Sequence, residues 1–410
     1  MIRFLSFILF VFALSHQSIG QVLGFTLPEG KKRVDIPIEI QNNLIVVRVV
    51  LNDALPLKFI VDTGVRTAIL TQKAFSDILQ LPYSRKYTIS GPGGEKLIDA
   101  YVTNNVSLTL PGVIGRGHAL LVLEEDYLEL RNYLGTDVHG ILGYELFSRF
   151  IVKIDYSKKI MTLYLPEKFH PKKRYQEIPM LVEDTKPFIL TSLEVTPGNS
   201  MTAKLLVDTG ASHGLMLEPS SDDRIRVPAT TVSTIIGRGL GGVITGKIGR
   251  IKTLKLGSYT LNHVLANFPD PNSYLDTLKS SLTFRHGSIG GEMLSRFTVV
   301  FNHPQGKLYL KKNSQFKKPT YFNLSGIELK AKGANLNIFE VSDVRSLSPS
   351  EKVGIREGDI VVSVNGLPAK DLHLNELNAL LNSKPGKKIT LVIDRKTVRY
   401  TLTFRLENQI

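Results

Sequence analysis

The sequence contains no cysteine in its 410 residues. This absence excludes disulfide bridges, a thiol nucleophile and a lipid-modified N-terminal cysteine, so core packing must supply the stability. An exported protein without disulfides is more typical of a bacterial envelope than of a eukaryotic secretory route. The 9 histidines form no His-Glu-x-x-His pattern or similar metal-binding spacing. We therefore expect no metal site and no cofactor.

Long apolar runs are also scarce. The first twenty residues hold one arginine, an apolar run over residues 4–14, and small residues Ser18 and Gly20 before a possible cleavage point. This pattern predicts a secretory signal peptide at residues 1–20, because the run is too short to span a bilayer comfortably. An uncleaved membrane anchor is the alternative. We expect an exported protein, periplasmic or extracellular, with no transmembrane segment after cleavage.

The charge is strongly basic, with a formal net charge of +14. The basic residues come in short runs beside Pro, Gly or polar residues, which is typical of solvated loops. No helix with interleaved arginine and aromatic residues accompanies them, so a nucleic-acid partner is not expected. Attraction to anionic surfaces or acidic substrates stays open. A chain of this length is too long to form a single hydrophobic core, so we expect two or three domains.

The chain repeats itself. The tripeptide Asp-Thr-Gly at residues 62–64 follows an apolar strand pattern and returns at residues 208–210. One such tripeptide alone would indicate only a tight turn between strands. However, residues 143–150 and 290–297 are also identical at five of eight positions, in almost the same register. The sequence therefore contains two copies of one unit.

Each copy carries a glycine-rich stretch at a matching distance after its Asp-Thr-Gly. Apolar and β-branched residues flank both stretches, which predicts two glycine-tipped β-hairpins. Short strand patterns dominate elsewhere, and the clearest helix is a short segment after each Ile-Gly step. The sequence predicts a mainly β, internally duplicated fold. The hairpin glycines are Gly91, Gly93, Gly94, Gly237, Gly239 and Gly242.

Two further segments match known functional motifs, but the residues that follow them do not fit those motifs. Residues 237–242 fit the dinucleotide fingerprint, but that fingerprint needs a following helix, and the next residues alternate as a strand. Residues 210–214 fit the nucleophile elbow with Ser212 as the nucleophile. No helix pattern follows, and the first copy has no serine there. A serine hydrolase using Ser212 is kept as a second alternative.

Two aspartates brought together by a duplicated unit can hydrolyse an amide. Adjacent carboxylates cannot both ionise comfortably, so Asp62 and Asp208 would share one proton. One would take a proton from water as general base, and the other would protonate the carbonyl oxygen or the leaving amine. No covalent intermediate or metal is needed.

These features resemble the aspartic proteases. The duplication within one chain is similar to pepsin, whereas each half with its own flap is similar to a retropepsin subunit. The resemblance implies two homologous lobes related by a pseudo-two-fold axis and an aspartic endopeptidase that works as a monomer. It also implies that residues 141–143 and 288–290 pass behind the two aspartates. A non-catalytic peptide-binding protein with the same fold is the alternative.

The resemblance assigns a role to each motif residue in turn. Asp62 and Asp208 would be the catalytic pair. Thr63 and Thr209 would clasp the two lobes together, and Gly64 and Gly210 would leave room for the opposing loop. The glycine hairpins would close as flaps over an extended peptide.

The residues that follow each Asp-Thr-Gly differ from those at the same positions in pepsin. Val65 and Ala211 replace a hydroxyl that donates to the catalytic carboxylate, so higher pKa values and a mildly acidic to near-neutral optimum are expected. Arg66 and Ser212 follow them as candidate substrate contacts. Arg66 could instead form an ion pair or lie in solvent.

The last ninety residues resemble a small α+β PDZ domain of the bacterial protease-associated type. The matching residues are Gly354-Ile355, the segment 357–361 and Asn365-Gly366. A helix is expected over residues 372–381. The peptide site would include Ser325, Gly326 and Ile327, although this loop matches the usual Gly-Leu-Gly-Phe poorly. The expected domain limits are 21–172 and 173–312 for the two lobes, 313–320 for a linker, and 321–410 for the PDZ domain. The resemblance implies that the PDZ domain binds a substrate or partner peptide, and a packing or regulatory appendage without a free ligand is the alternative.

Overall fold

We describe the protein from a computed structural model, which describes residues 23–89, 91, 93–94, 97–271 and 284–410. The signal peptide predicted at residues 1–20 lies outside these residues. Strands hold 49% and helices 11% of the described residues, which confirms the predicted mainly β class. In the described ranges, no helix is long and apolar enough to cross a bilayer.

The first lobe consists of short strands and three short helices. Its strands are β1 (Gly24–Thr26), β2 (Arg33–Pro37), β3 (Glu39–Gln41), β4 (Leu44–Leu51), β5 (Leu55–Val61), β6 (Ala68–Leu70), β7 (Arg85–Ile89), β8 (Ile98–Val106), β9 (Leu108–Thr109), β10 (Ile114–Arg116), β11 (His118–Leu123), β12 (Gly140–Leu142), β13 (Ile151–Asp155) and β14 (Ile160–Tyr164). Its α-helices are α1 (Lys73–Ile78), α2 (Leu130–Leu134) and α3 (Tyr144–Arg149), followed by a 3-10 turn at Pro166–Lys168.

The second lobe repeats this order with longer strands around its flap. The strands are β15 (Gln176–Glu183), β16 (Lys186–Glu194), β17 (Ser200–Val207), β18 (Leu215–Leu217), β19 (Thr231–Gly239), β20 (Gly242–Leu256), β21 (Tyr259–Pro269), β22 (Gly287–Ile289), β23 (Phe297–Asn302) and β24 (Lys307–Lys312). A 3-10 turn at Pro219–Ser221 and the helix α4 (Gly291–Leu294) complete it.

The strand β4 is buried along most of its length because it lies between two apolar layers. The strand reads LIVVRVVL, and such β-branched residues pack well on a pleated surface. Ile45 and Val47 belong to the main hydrophobic core, whereas Leu44 and Val46 belong to a second cluster on the other face. Successive side chains point to opposite faces, so one strand supports two apolar layers.

A short strand is inserted behind the active-site strand in each lobe. In the first lobe β12 runs parallel to β5 and antiparallel to β6. In the second lobe β22 has the same relation to β17 and β18. The helices α3 and α4 follow directly, where the sequence predicted a short helix after each Ile-Gly step.

A shared sheet joins the two lobes. Its strands lie in the order β2-β14-β13-β23-β24-β15, and the central pair β13 and β23 is antiparallel. Lys153 pairs with Val300, Val152 with Phe301, and Ile154 with Val299. The register is therefore symmetric about Lys153 and Val300, as a pseudo-two-fold axis through that pair requires.

The C-terminal unit has its own sheet and core. Its elements are β25 (Ile327–Lys332), β26 (Ile338–Val344), α5 (Pro349–Lys352), β27 (Ile360–Val364), β28 (Leu367–Pro368), a 3-10 turn (Ala369–Asp371), α6 (Leu374–Leu381), β29 (Lys388–Arg395) and β30 (Val398–Arg405). The strand order is β25-β26-β27-β29-β30, which makes β25 an edge strand. The predicted helix begins two residues later than expected, because Ala369–Asp371 form the 3-10 turn before it.

Candidate active site

The two Asp-Thr-Gly tripeptides follow corresponding strands, β5 and β17. The Asp62 amide donates to the Leu142 carbonyl at 2.9 Å, and the Asp208 amide donates to the Ile289 carbonyl at 2.8 Å. Each acceptor belongs to the inserted strand behind the aspartate. These bonds hold both loops at the ends of buried strands, in the arrangement that the resemblance implied.

Thr63 and Thr209 connect the two loops reciprocally. The Thr63 amide donates to the Thr209 hydroxyl at 3.1 Å, and the Thr209 amide donates to the Thr63 hydroxyl at 3.0 Å. Each hydroxyl then donates across the interface, Thr63 to the Val207 carbonyl at 2.6 Å and Thr209 to the Val61 carbonyl at 2.8 Å. Both side chains are buried. Four hydrogen bonds shielded from water therefore fix the distance between the lobes at this point.

Gly64 and Gly210 allow the carboxyl groups to approach each other. The Gly64 amide donates to Asp62 Oδ1 at 2.6 Å, and the Gly210 amide donates to Asp208 Oδ1 at 2.9 Å. A β-carbon on Gly210 would lie 2.1 Å from the Asp62 carboxyl of the other lobe. Only glycine fits there, and its lack of a side chain lets Asp62 reach Asp208.

Different neighbours act on the two aspartates. Burial raises the pKa of both carboxyls, and the charge of Asp208 helps to raise the pKa of Asp62 to about 8. The amides of Gly210 and Ala211 and the charge of Arg285 act against burial and lower the pKa of Asp208. Asp208 therefore has more neighbours that favour its ionised form than Asp62 has.

Two basic residues that sequence reasoning missed lie near this pair. Lys186 starts β16 after a turn, and its charge lowers the pKa of Asp62. The corresponding first residue of β4 is Leu44. A comparison of the two copies at that position could have identified Lys186. Arg285 donates from Nε to Glu218 Oε1 at 2.9 Å, and no local pattern marks its position beside Asp208.

The two predicted flaps are β-hairpins. β7 pairs with β8 in the first lobe, and β19 pairs with β20 in the second, with Gly239 opposite Gly242 at the turn. Gly237 lies at a register shift within β19 rather than at the tip. It therefore contributes to the curvature of the strand.

The tips of the two flaps meet each other. A β-carbon on Gly93 would lie 2.1 Å from the Gly242 carbonyl oxygen, and one on Gly241 would lie 2.4 Å from the Gly91 carbonyl oxygen. The Leu240 β-carbon would lie 2.8 Å from a β-carbon on Gly91. Gly93 has φ +106 and Gly242 has φ +132, in the region that favours glycine. Backbone-to-backbone contact at the tips is what requires these glycines, and the sequence did not single out Leu240 and Gly241.

The candidate contacts Arg66 and Ser212 have different surroundings. Arg66 lies 3.9 Å from Asp184, and the two side chains are 74% and 50% exposed, so this ion pair is a surface one. The Ser212 carbonyl accepts a hydrogen bond from Asn43 Nδ2 at 3.1 Å. Ser212 lines the cavity beside Asp208, and Arg66 is not among the described residues that line it.

Comparison with known protein families accounts for this geometry. An aspartyl protease model matches residues 47–146 and 193–290, one segment in each lobe, and a PDZ domain model matches residues 340–395. The chain contains a duplicated aspartyl protease region and a PDZ domain. Each matched protease segment includes one Asp-Thr-Gly loop and its inserted strand.

Curated relatives match over short stretches. The chain is 34% identical over 76 residues to the carboxy-terminal processing protease CtpA of Bacillus subtilis, which is 18% of this chain and 16% of the relative. It is 32% identical over 81 residues to the periplasmic serine endoprotease DegP of Salmonella typhimurium, 20% of this chain and 16% of DegP. It is 41% identical over 68 residues to the tight junction protein ZO-3 of Mus musculus, 16% of this chain and 7% of ZO-3. The chain thus spans less than a fifth of the length of these relatives.

Residues of the protease region and of the PDZ domain line one large cavity. Its volume is about 1180 Å³, and its lining includes Asp208 and Ser212 at one end. The lining also includes residues of the flap strand β19 and of β25 and α6 in the PDZ domain. Arg238 of β19 reaches Glu328 of β25 at 3.2 Å and lies 4.1 Å from the Tyr133 ring centroid. The flap and the PDZ edge strand are therefore in direct contact.

The predicted PDZ peptide loop is buried and uses its amides internally. The Leu324 amide donates to Asn382 Oδ1 at 3.1 Å, the Gly326 amide to Asn323 Oδ1 at 2.9 Å, and the Ile327 amide to Ser325 Oγ at 3.2 Å. Ser325 and Ile327 line the cavity, whereas Gly326 is not among the described residues that line it. The amides of Gly326 and Ile327 already have partners.

Proposed function

We propose that the protein is an aspartic endopeptidase that hydrolyses peptide bonds with water activated between Asp62 and Asp208. The observation that carries the proposal is the contact of the two carboxyl groups, held by the reciprocal threonine bonds. A carboxylate and a carboxylic acid side by side supply a base and an acid at one point. The protease region and the PDZ domain together support a peptide or protein substrate.

The roles of the two aspartates follow from their surroundings. Asp208, which has more neighbours that favour its ionised form, takes a proton from water as the water oxygen attacks the scissile carbonyl carbon. Asp62 gives its proton to the carbonyl oxygen, so the tetrahedral intermediate is a neutral diol. Asp208 then donates its new proton to the leaving nitrogen, and Asp62 recovers a proton from the diol hydroxyl. The C–N bond breaks and the starting protonation is restored.

The flaps provide the enclosure that this chemistry needs. Their tips meet each other. In the proposed function, an extended peptide would pass between the joined tips and the dyad. Closure over the substrate excludes bulk water and strengthens the electrostatic interactions at the dyad. The proposed monomer is complete because both aspartates belong to one chain.

The serine alternative has less support in the geometry. In the described part of the chain, the Ser212 hydroxyl makes no hydrogen bond to a histidine. His213 instead shares a hydrogen bond of 2.9 Å with Ser288, and Ser288 is buried at 1% exposure. Burial lowers the pKa of His213 to about 4. This pair cannot reach a substrate, although the DegP relative bears the name of a serine endoprotease.

The test is digestion of a mixed peptide library between about pH 3 and about pH 8. Wild type should cleave, whereas Asp62→Asn and Asp208→Asn should each lose at least ~1000-fold in kcat/KM. Ser212→Ala is the matched control and should retain activity. Loss with Ser212→Ala but not with Asp62→Asn would establish the serine hydrolase. Equal inactivity of all four proteins would favour the non-catalytic peptide-binding protein.

We further propose that the protein is exported to a bacterial envelope. The support is the apolar run at residues 4–14 with its following small residues and the lack of cysteine. The 32% identical relative DegP is named as periplasmic. N-terminal sequencing of the protein from the producing cell should begin after Gly20, and an intact Met1 would contradict this.

A further inference from the structure

The first lobe holds the PDZ domain through the helix α2. This helix packs along β25, the edge strand of the PDZ sheet. Arg131 of α2 donates from Nη2 to the Ala334 carbonyl at 2.7 Å, just after β25. A β-carbon on Gly135, directly after the helix, would lie 2.5 Å from the Leu374 β-carbon at the start of α6. The helix α2 therefore covers the edge of β25 and joins the PDZ domain to the first lobe.

The flap of the second lobe reaches this junction through the side chain of Arg238. This residue belongs to the flap strand β19, shortly before Gly241 at the tip. Its Nη2 donates to Glu328 Oε2 of β25 at 3.2 Å, and its guanidinium carbon lies 4.1 Å from the centroid of the Tyr133 ring of α2. One guanidinium group thus connects the second flap both to the PDZ domain and to the first lobe.

The ion pair between Arg238 and Glu328 is partly shielded from water. The two side chains are 22% and 32% exposed. Partly buried charges are screened less than exposed ones, so their attraction is stronger than that of a surface pair. A cation stacked on an aromatic ring adds a further attraction. Opening of the flap away from the PDZ domain would have to break both contacts, so together they stabilise the closed flap.

The first copy of the repeat has no charge at the corresponding position. The two Asp-Thr-Gly tripeptides set the offset between the copies, and at this offset the counterpart of Arg238 is Pro92. An ion pair of the first flap, between Lys86 and Asp99 at 2.8 Å, joins β7 to β8 within the hairpin itself. The connection through Arg238 therefore acts on the second flap, whose tip in turn meets the tip of the first.

We propose that Arg238 is a positioning residue that ties the second flap to the PDZ domain through Glu328 and so keeps the flap closed over a bound peptide. This inference rests on the proposed function. In this role the PDZ domain anchors the flap and needs no peptide of its own. Closed flaps hold a substrate in its reactive geometry, so loss of the connection should reduce turnover.

The first experiment measures the position of the flap without substrate. The chain has no cysteine, so Val243→Cys in the flap and Leu367→Cys in the PDZ domain provide two unique sites for spin labels. Val243 pairs with Arg238 in the hairpin, and the side chains of Val243 and Leu367 are 38% and 50% exposed. Pulsed electron paramagnetic resonance then gives the distribution of distances between the labels. With no other change, this distribution should be narrow.

The labelled protein is then compared with variants of the ion pair. Arg238→Met and Glu328→Gln should each broaden the distribution toward longer distances, and the double variant should broaden it no further. Glu407→Gln is the matched control, because Glu407 pairs with Lys352 at the same distance, 3.2 Å, within the PDZ domain. It should leave the distribution unchanged. A distribution that Glu328→Gln leaves unchanged, or that Glu407→Gln broadens equally, overturns the inference.

The second experiment measures cleavage of the best library peptide by the same variants without labels. The value of kcat/KM should fall roughly tenfold in Arg238→Met and in Glu328→Gln, and the two losses should not multiply in the double variant. Arg238→Lys keeps the charge and should lose less. Losses that multiply, as two independent defects would, overturn the inference. Failure of the proposed function is distinct, because wild type would then cleave no peptide while the label distances would still respond to Glu328→Gln.

Discussion

The amides of Thr63 and Thr209 each donate to the hydroxyl of the other threonine, at 3.1 and 3.0 Å, across the boundary between the two lobes. Each hydroxyl also donates a hydrogen bond to a carbonyl of the opposite lobe. The two halves of the site are therefore positioned by one another. Neither lobe can supply this geometry alone.

Replacing Thr63 with valine should destabilise the protease region and reduce activity. The change leaves the Thr209 amide and the Val207 carbonyl buried without partners, which costs roughly 2 to 5 kcal/mol. Thr63→Ser keeps the hydroxyl and should lose less than about 1 kcal/mol. Thermal unfolding and peptide cleavage of both variants check the prediction. Equal stability of the valine and serine variants would show that the hydroxyl bonds contribute little.

Replacing Asp62 with asparagine should stabilise the fold increasingly as pH rises. The pKa of Asp62 is raised from 3.8 to about 8 in the folded protein, so the folded state binds more protons than the unfolded state between these values. The wild type therefore loses stability as pH rises through this window, and asparagine carries no such penalty. The melting-temperature difference between variant and wild type should be small near about pH 4 and larger near about pH 8. A difference that shrinks over this range would contradict the raised pKa.

Removing the charge of Lys186 should extend activity to higher pH. Asp62 must keep its proton to act as the acid, and the Lys186 charge lowers its pKa. Lys186→Met should move the alkaline limb of kcat/KM upward by up to about one pH unit. Lys186→Arg keeps the charge and should leave the limb in place. A downward shift with methionine would mean that the cation does not favour ionisation of Asp62.

Placing a side chain at the flap tip should weaken substrate turnover without unfolding the protein. Gly93→Ala would put a β-carbon against the Gly242 carbonyl and separate the flaps, so kcat/KM should fall roughly tenfold or more. Gly198→Ala is the matched control, since Gly198 also has positive φ, at +80, but nothing within 4 Å of the added β-carbon. Steady-state kinetics of both variants distinguishes the effect of the contact between the flap tips from the effect of backbone strain at a positive φ. An equal loss in both would attribute the effect to conformation alone.

Much of the fold could be predicted because the sequence motifs that specify it are local and occur twice. The Asp-Thr-Gly tripeptides, the glycine hairpins and the Ile-Gly steps each follow from neighbouring residues, and duplication turns a weak pattern into a specific one. The mainly β class, the short helices α3 and α4, and the C-terminal PDZ domain were predicted in this way and confirmed. The helix α6 began later than predicted, since boundaries depend on a turn that the apolar spacing does not show.

The asymmetry of the dyad could not be predicted from the two tripeptides, which are identical. Val65 and Ala211 indicated only that both pKa values should be higher than in pepsin. Lys186 and Arg285 lie far along the chain from the aspartates that they influence, and their effect depends on distance and burial in three dimensions.

By itself, therefore, the sequence determined the two lobes, the residues of the candidate dyad and the PDZ domain, because these depend on local spacing and repetition. Only the tertiary structure decided which charges and amides act on each aspartate and that the flap tips meet at Leu240 and Gly241. It also decided that Asn382, 58 residues away, accepts a hydrogen bond from the Leu324 amide, and that one cavity is lined both by Asp208 and by PDZ residues. The physical reason is that charge, burial and hydrogen-bond competition act between residues that folding brings together, whatever their separation along the chain.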